Sequence, residues 1–331
     1  MKIYKKFFEN NPTYSTWAFT IVKSFVLFFI TLLILKNFND EEITLWYLIS
    51  SIIAFSHLFD LGLSSTIVRF TAYLKKNSTF ENNFTNLYNS FSSIYCLISI
   101  FLIFLFIVIY YVSIDPLIFK SIDSAKIKIT YSIISLITIF TFYLKRNDSF
   151  LRGLNKINLY NKWNSIVYLI NGTLIIILIF FKVSFYNLVV INQLIILIGS
   201  LRNFYLLNSL LKKKISFFSF RWRQVEIKKI WSPTWRTGLV SISSTGTQSL
   251  ISILVPRFFG ISVGGSYLFT MKIIQIINEL SYAPFYSHLP KYISDYKEGL
   301  NSKNKKNILF GIRNSLIFLM VGVTILSIFI E

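Results

Sequence analysis

Long uncharged runs repeat along the whole chain, 16 to 33 residues each, with short joints of Asn, Asp, Lys and Pro between them. A helix needs roughly 20 residues to cross the hydrocarbon core of a bilayer. The runs predict nine spanning helices, near 15–36, 43–66, 88–113, 127–145, 163–181, 184–210, 234–256, 264–288 and 312–330. The third run, Asn82 to Ile114, is longer than one span needs, and its polar start NNFTNLYNS is expected at the interface. The two-residue alternation of a membrane β-strand is missing. The expected fold is all-α, a polytopic transmembrane helical bundle.

Composition agrees. Of 331 residues, 54% are hydrophobic and 15% charged, with mean hydropathy +0.59; soluble domains carry about a quarter charged residues. Cys96 is the single cysteine, so no intrachain disulfide forms, and it reads as a small buried apolar residue. The two histidines, His57 and His288, fall in no metal-ligand spacing, so neither a metal nor a cofactor is expected. Lys2, Lys5 and Lys6 precede the first run as in a signal peptide. That run is too long and lacks a small-x-small cleavage site, so it is read as an uncleaved first span.

The net charge of +20 raises nucleic-acid binding, and its distribution argues against it. With the N-terminus in the cytoplasm, the cytoplasmic segments hold 25 of the 34 Lys and Arg residues, and the outer loops 6. This asymmetry is the positive-inside pattern, and it sets topology. The cations then face anionic lipid head groups. The stretch KKKISFFSFRWRQVEIKKIW, residues 212–231, interleaves cations with aromatic rings and reads as an amphipathic linker on the cytoplasmic surface.

The hydropathy profile repeats. Trp17 and Trp235 open spans one and seven at an offset of 218, and Tyr47 and Tyr267 open spans two and eight at 220. Six spans separate the copies, so both face the same way, as in parallel-repeat transporters. The expected organisation is a six-helix bundle over 1–211, the basic linker over 212–232, and the first three helices of a second, incomplete bundle over 233–331.

Polar residues inside spans are expensive and normally face protein or water. At about 100° per residue, Thr16, Thr20, Lys23, Ser24 and Thr31 share one face of span one. Ser50, His57, Asp60 and Ser64 share a face of span two; Ser241, Ser244, Thr245, Gln248 and Ser252 do so on span seven. On span eight the stripe is Lys272, Gln275, Glu279, Tyr282 and Tyr286. Packing glue between helices explains any one serine. Four stripes with charges on them predict a polar cavity enclosed by spans one, two, seven and eight. Its expected substrate-binding residues are Lys23, Asp60, Arg69, Gln248, Lys272, Gln275 and Glu279, with no catalytic set. Lys23 and Asp60 lie at similar depth on consecutive spans, so they are expected to pair with each other.

Three stretches resemble Wzx-type flippases of the polysaccharide-transport family, which share a superfamily with MurJ lipid flippases and MATE exporters. They are FDLGLSSTIVRF at residues 59–70, SFLRGLNKINLYNKWNSI at 149–166 and TWRTGLVSISSTGTQSL at 234–250. The resemblance implies a MATE-like fold of two pseudo-symmetric bundles in a bacterial inner membrane. It also implies a cargo, an undecaprenyl-diphosphate-linked oligosaccharide carried to the periplasmic leaflet. Partners would be membrane lipids and the glycosyltransferases and polymerase of the same pathway, with no nucleic acid. Two alternatives stand: a MATE-type small-molecule exporter, and a membrane glycosyltransferase or ligase using the acids of NDEE at 39–42. A cation exporter favours an acid in span one, where this chain has Lys23. The NDEE loop is short for an enzyme site.

Overall fold

The computed structural model describes residues 11–74, 80–113, 124–211, 214–218, 234–240, 261–297 and 301–330, with isolated positions between 231 and 259. Every described element is a helix: α1 Pro12–Asn37, α2 Asp40–Ser56, α3 Leu63–Leu74, α4 Phe80–Ser113, α5 Ser124–Gly153, α6 Ile157–Phe180, α7 Phe185–Ser209, α8 Ile261–Tyr286, α9 Leu289–Lys297 and α10 Asn301–Ile330. The expected all-α membrane bundle is what the chain forms. Six of these helices, α1, α4, α5, α6, α7 and α10, are long and apolar enough to cross a membrane. A seventh span is the bent pair α2–α3. Span eight, α8, is long enough but not among the apolar set; Lys272, Gln275, Asn278 and Glu279 interrupt it. Span seven and most of the linker lie outside the described residues.

Local chemistry sets the helix starts. Asn11 accepts the Thr13 N–H at 3.0 Å and Pro12 follows at the first helical position, where its missing N–H costs nothing. Asn39 and Glu42 form a reciprocal capping box at the start of α2, with bonds of 2.8 and 3.2 Å. Glu42 of the NDEE stretch is thus engaged in starting a helix.

Span two is not the continuous helix that the sequence pattern predicts. After Ser56 the chain tightens into one 3-10 turn, His57–Asp60. Leu61 and Gly62 then take left-handed backbone angles, φ 45° and 76°, and α3 leaves bent by 46°. Two features demand glycine at position 62. Its φ favours a residue without Cβ, and a Cβ there would sit 2.1 Å from Thr237 Oγ1. The helical segment 234–240 docks on this bend, where Thr234 Oγ1 donates to Thr66 Oγ1 at 3.1 Å.

The main core lies among α4, α5 and α7, around Tyr88, Phe91, Tyr95, Phe142 and Phe150. Alongside it, α1 packs chiefly on α6. They pack closely at Gly172, where an added Cβ would lie 2.8 Å from Val26. In the C-terminal part α8 packs on α10; α8 also rests on α1, and α9 on α3.

Arg146 corrects a second expectation. It lies one residue past the expected end of span four, where the charge pattern puts a cytoplasmic loop, yet it is within α5 and fully buried. Its guanidinium stacks 3.7 Å from the centre of the Tyr143 ring, and Nη2 donates to Tyr88 Oη at 3.2 Å and to the Phe217 carbonyl at 2.9 Å. A buried cation is tolerated there because π faces and carbonyls replace water. The contact fastens the first turn of the linker to the bundle.

Candidate functional site: a cavity closed by an ion pair between the two parts

A cavity of about 240 Å³ lies between α1, α2, α7 and α8. From α1 it takes the stretch Lys23 to Leu32, and from α8 the stretch Ile273 to Glu279. At its end Lys23 Nζ meets both carboxylate oxygens of Glu279, each at 3.0 Å. Gln275 Nε2 donates to Glu279 Oε1 at 3.2 Å. The two charged side chains are 25% and 32% exposed, so the pair is open to the cavity. It is the one ion pair among the described residues.

Beyond the pair, towards the N-terminus of α1, the α1–α8 seam is sealed. Trp17 Nε1 donates to the Leu280 carbonyl at 3.0 Å, and the Thr13 and Ser287 hydroxyls meet at 3.0 Å. The pair is therefore the innermost of three ties, and the cavity lies wholly on its other side. The first half supplies one member of each tie and α8 or its end the other.

Of the expected site residues, the structure brings Lys23, Gln275 and Glu279 together at this cavity. Asp60 is elsewhere. Its buried carboxylate accepts the Ser64 N–H at 3.2 Å, the Ser64 hydroxyl at 3.0 Å and the Tyr95 hydroxyl. The expected Lys23–Asp60 pair does not form. The physical reason is the packing: α1 lies on α6 and α8, while the 3-10 turn directs Asp60 towards α4 and the start of α3. The break also dissolves the predicted span-two stripe, since Ser50 lines the cavity, Asp60 is buried, and His57 is exposed. Arg69 is exposed on α3; its Nε lies 3.4 Å from Tyr73 Oη, away from the cavity. Gln248 lies outside the described residues, as does the side chain of Lys272.

Sequence reasoning missed α7. Asn192 and Gln193 line the cavity, and Asn192 Oδ1 accepts Asn171 Nδ2 at 2.7 Å from α6. The signal was an Asn-Gln pair inside an otherwise apolar run, passed over because it carries no charge. It also missed a polar network between α5, α6 and α7. There Asn203 donates to Asp148 Oδ1 at 2.7 Å and Arg202 Nη2 to Asn164 Oδ1 at 2.6 Å. No cluster of His, Cys, Asp or Glu suited to a metal occurs among the described residues.

The chain matches no family model and no curated protein.

Proposed function

We propose that this chain is a membrane transporter whose central cavity takes the anionic head group of a lipid-linked saccharide. The cargo best suited is an undecaprenyl-diphosphate-linked oligosaccharide moved between leaflets of a bacterial inner membrane. The observation that carries this reading is the Lys23–Glu279 pair, which joins the two parts of the chain at the end of a cavity whose largely apolar wall also carries Ser50, Asn192, Gln193 and Gln275. A lysine ammonium is a compact point charge suited to phosphate oxygens. A diphosphate entering the cavity competes with Glu279 for it. Sugars then meet neutral hydrogen-bonding groups such as Asn192, Gln193 and Ser50, while the prenyl tail stays in lipid.

The direction follows from charge. With the buried Arg146 set aside, 24 of the 34 cations fall in segments that the span order puts on the side of the N-terminus, and that side is read as cytoplasmic. The sealed seam is then the cytoplasmic one, and the cavity belongs to a state closed to the cytoplasm. Loading from the cytoplasm requires the three ties to part, so the halves must move relative to each other. The engagement of Glu42 in a helix cap and the short joint around it favour transport over glycosyl transfer. A MATE-type exporter of small cations uses the same cavity with Glu279 as the ligand.

The test is transport in liposomes that hold the purified chain and a fluorescent undecaprenyl-diphosphate oligosaccharide, read by the appearance of sugar to an external lectin. The expected result is transport by the parent protein, loss in Lys23→Ala and partial retention in Glu279→Gln. Loss in Glu279→Gln with full activity in Lys23→Ala overturns the anionic cargo and favours the cation exporter. Sugar exposure equal to protein-free liposomes overturns the transport reading for this chain.

A further inference from the structure

A second cavity, of about 370 Å³, lies at the other end of the α1–α8 seam. It is walled by the first turns of α1, the end of α8, α9 and the early turns of α10. Thr13 and Trp17 of the two outer ties stand on its wall, but the transport reading places no ligand in it.

Its lining has a definite chemistry. Among the described residues Lys291 is the one cation on the wall, and no Asp or Glu lines it. His288 adds an imidazole, and Lys291 gives the described wall one fixed positive charge. Asn307 and Asn314 add amide groups from α10. The side chains of Lys291, His288, Asn307 and Asn314 make no hydrogen bond with the described residues. Their donors are available to a ligand.

The floor is aromatic. Tyr14, Trp17 and Phe310 line it, and rings of this kind settle at the boundary between head groups and acyl chains. Deeper along α10 the path is apolar and uncovered. Phe318 touches Trp17 with ring centres 4.6 Å apart and stays 41% exposed. Leu316, Ile317 and Val321 beside it are also exposed. Phe318 is 8 residues past Phe310, about 12 Å further into the bilayer at 1.5 Å per residue.

We propose that this cavity holds the head group of one anionic glycerophospholipid, with its phosphodiester on Lys291 and its acyl chain along the exposed face of α10. One fixed positive charge suits one phosphodiester. The asparagine amides suit the hydroxyls of a glycerol head group. The aromatic floor and the uncovered α10 face continue the site into the hydrocarbon, which a soluble anion does not need. Since α1 supplies one wall and α8 to α10 the others, the bound lipid bridges the two parts of the chain beside the Thr13–Ser287 tie.

The experiment uses the full chain, purified in a neutral detergent. Phosphatidylglycerol, phosphatidylcholine or inorganic phosphate is added, and bound lipid is counted by native mass spectrometry alongside the thermal midpoint. The expected result is retention of one phosphatidylglycerol with a raised midpoint, and no effect of the other two. In Lys291→Gln/Asn314→Leu, phosphatidylglycerol affinity should fall roughly tenfold. Lys305→Gln, an exposed cation off the pocket wall, should bind as the parent does. Equal retention of phosphatidylcholine overturns the charge-based reading. An equal midpoint shift with inorganic phosphate shows a site for free anion and overturns the lipid. Unchanged binding in the double variant, or a loss as large in Lys305→Gln, places the lipid elsewhere. If the double variant fails to fold, Asn307→Ala with Asn314→Ala, which leaves Lys291 in place, should still weaken phosphatidylglycerol retention; parent-like retention overturns the site.

Discussion

Asp60 and Glu279 are both carboxylates carried within the helical bundle, and the molecule satisfies them in opposite ways. Asp60 is buried, 8% exposed, and its three hydrogen-bond donors come from its own half of the chain. Those donors are neutral and fixed by the bend they help to form. Glu279 is about a third exposed and held by a cation from the other half. Removing water from the first makes its bonds structural, because an unmet buried group carries the full desolvation penalty. Leaving the second in a cavity keeps its bond exchangeable. A carboxylate that stabilises a fold and one that can release its partner differ here by exposure and by which half supplies the partner.

The sharpest way to break this comparison is Asp60→Ala. It removes the acceptor for the Ser64 N–H near the start of α3 and leaves the Tyr95 hydroxyl buried without its acceptor. The expected loss is about 2–4 kcal/mol, read as a lowered thermal midpoint and poor recovery from membranes. A parent-like midpoint would remove the structural role. Next comes the charge reversal Lys23→Glu with Glu279→Lys. The inter-half tie should re-form and stability return to near the parent value, while transport stays lost because the cation now sits on α8. Recovery of transport would mean that the pair matters only as a tie. Lys23→Ala should cost only about 1 kcal/mol of stability, as part-exposed pairs do, yet abolish transport. Trp17→Phe is the mildest. It loses the bond to the Leu280 carbonyl, worth about 0.5–1.5 kcal/mol, and should raise accessibility of a cysteine placed at Thr13 without changing the fold. An unchanged labelling rate there would show that the seam does not depend on that tie.

Several features were legible from the sequence. The apolar runs gave the helices and most of their limits, because the requirement to satisfy every backbone group inside lipid leaves a long apolar run little choice but a helix. The angular stripes on spans one and eight put Lys23, Gln275 and Glu279 on faces that line the same cavity. At Leu61–Gly62 the glycine of FDLG marks a place where span two can bend, but the hydrophobic pattern continues across it and hides the 3-10 turn and the change of direction. Asn192 and Gln193 were passed over because uncharged amides do not stand out against a run of isoleucines.

What the chain alone determines is therefore local: which segments are helices, which faces are polar, and where the positive charge lies. Which charge meets which was decided only by tertiary packing. Lys23 and Asp60 are on consecutive spans joined by a two-residue turn, Phe38–Asn39, which suggests a hairpin pair. Val26 of α1 fits against Gly172 of α6, however, and that contact carries Lys23 round to α8. A similar non-local choice buries Arg146 among Tyr88, Tyr143 and the Phe217 carbonyl, although its neighbours in sequence read as a surface loop. The physical reason is that helix formation is governed by hydrogen bonds within a few residues, whereas the partner of a side chain at the helix surface depends on which helix packs there. That depends on the shapes of many side chains distant in sequence.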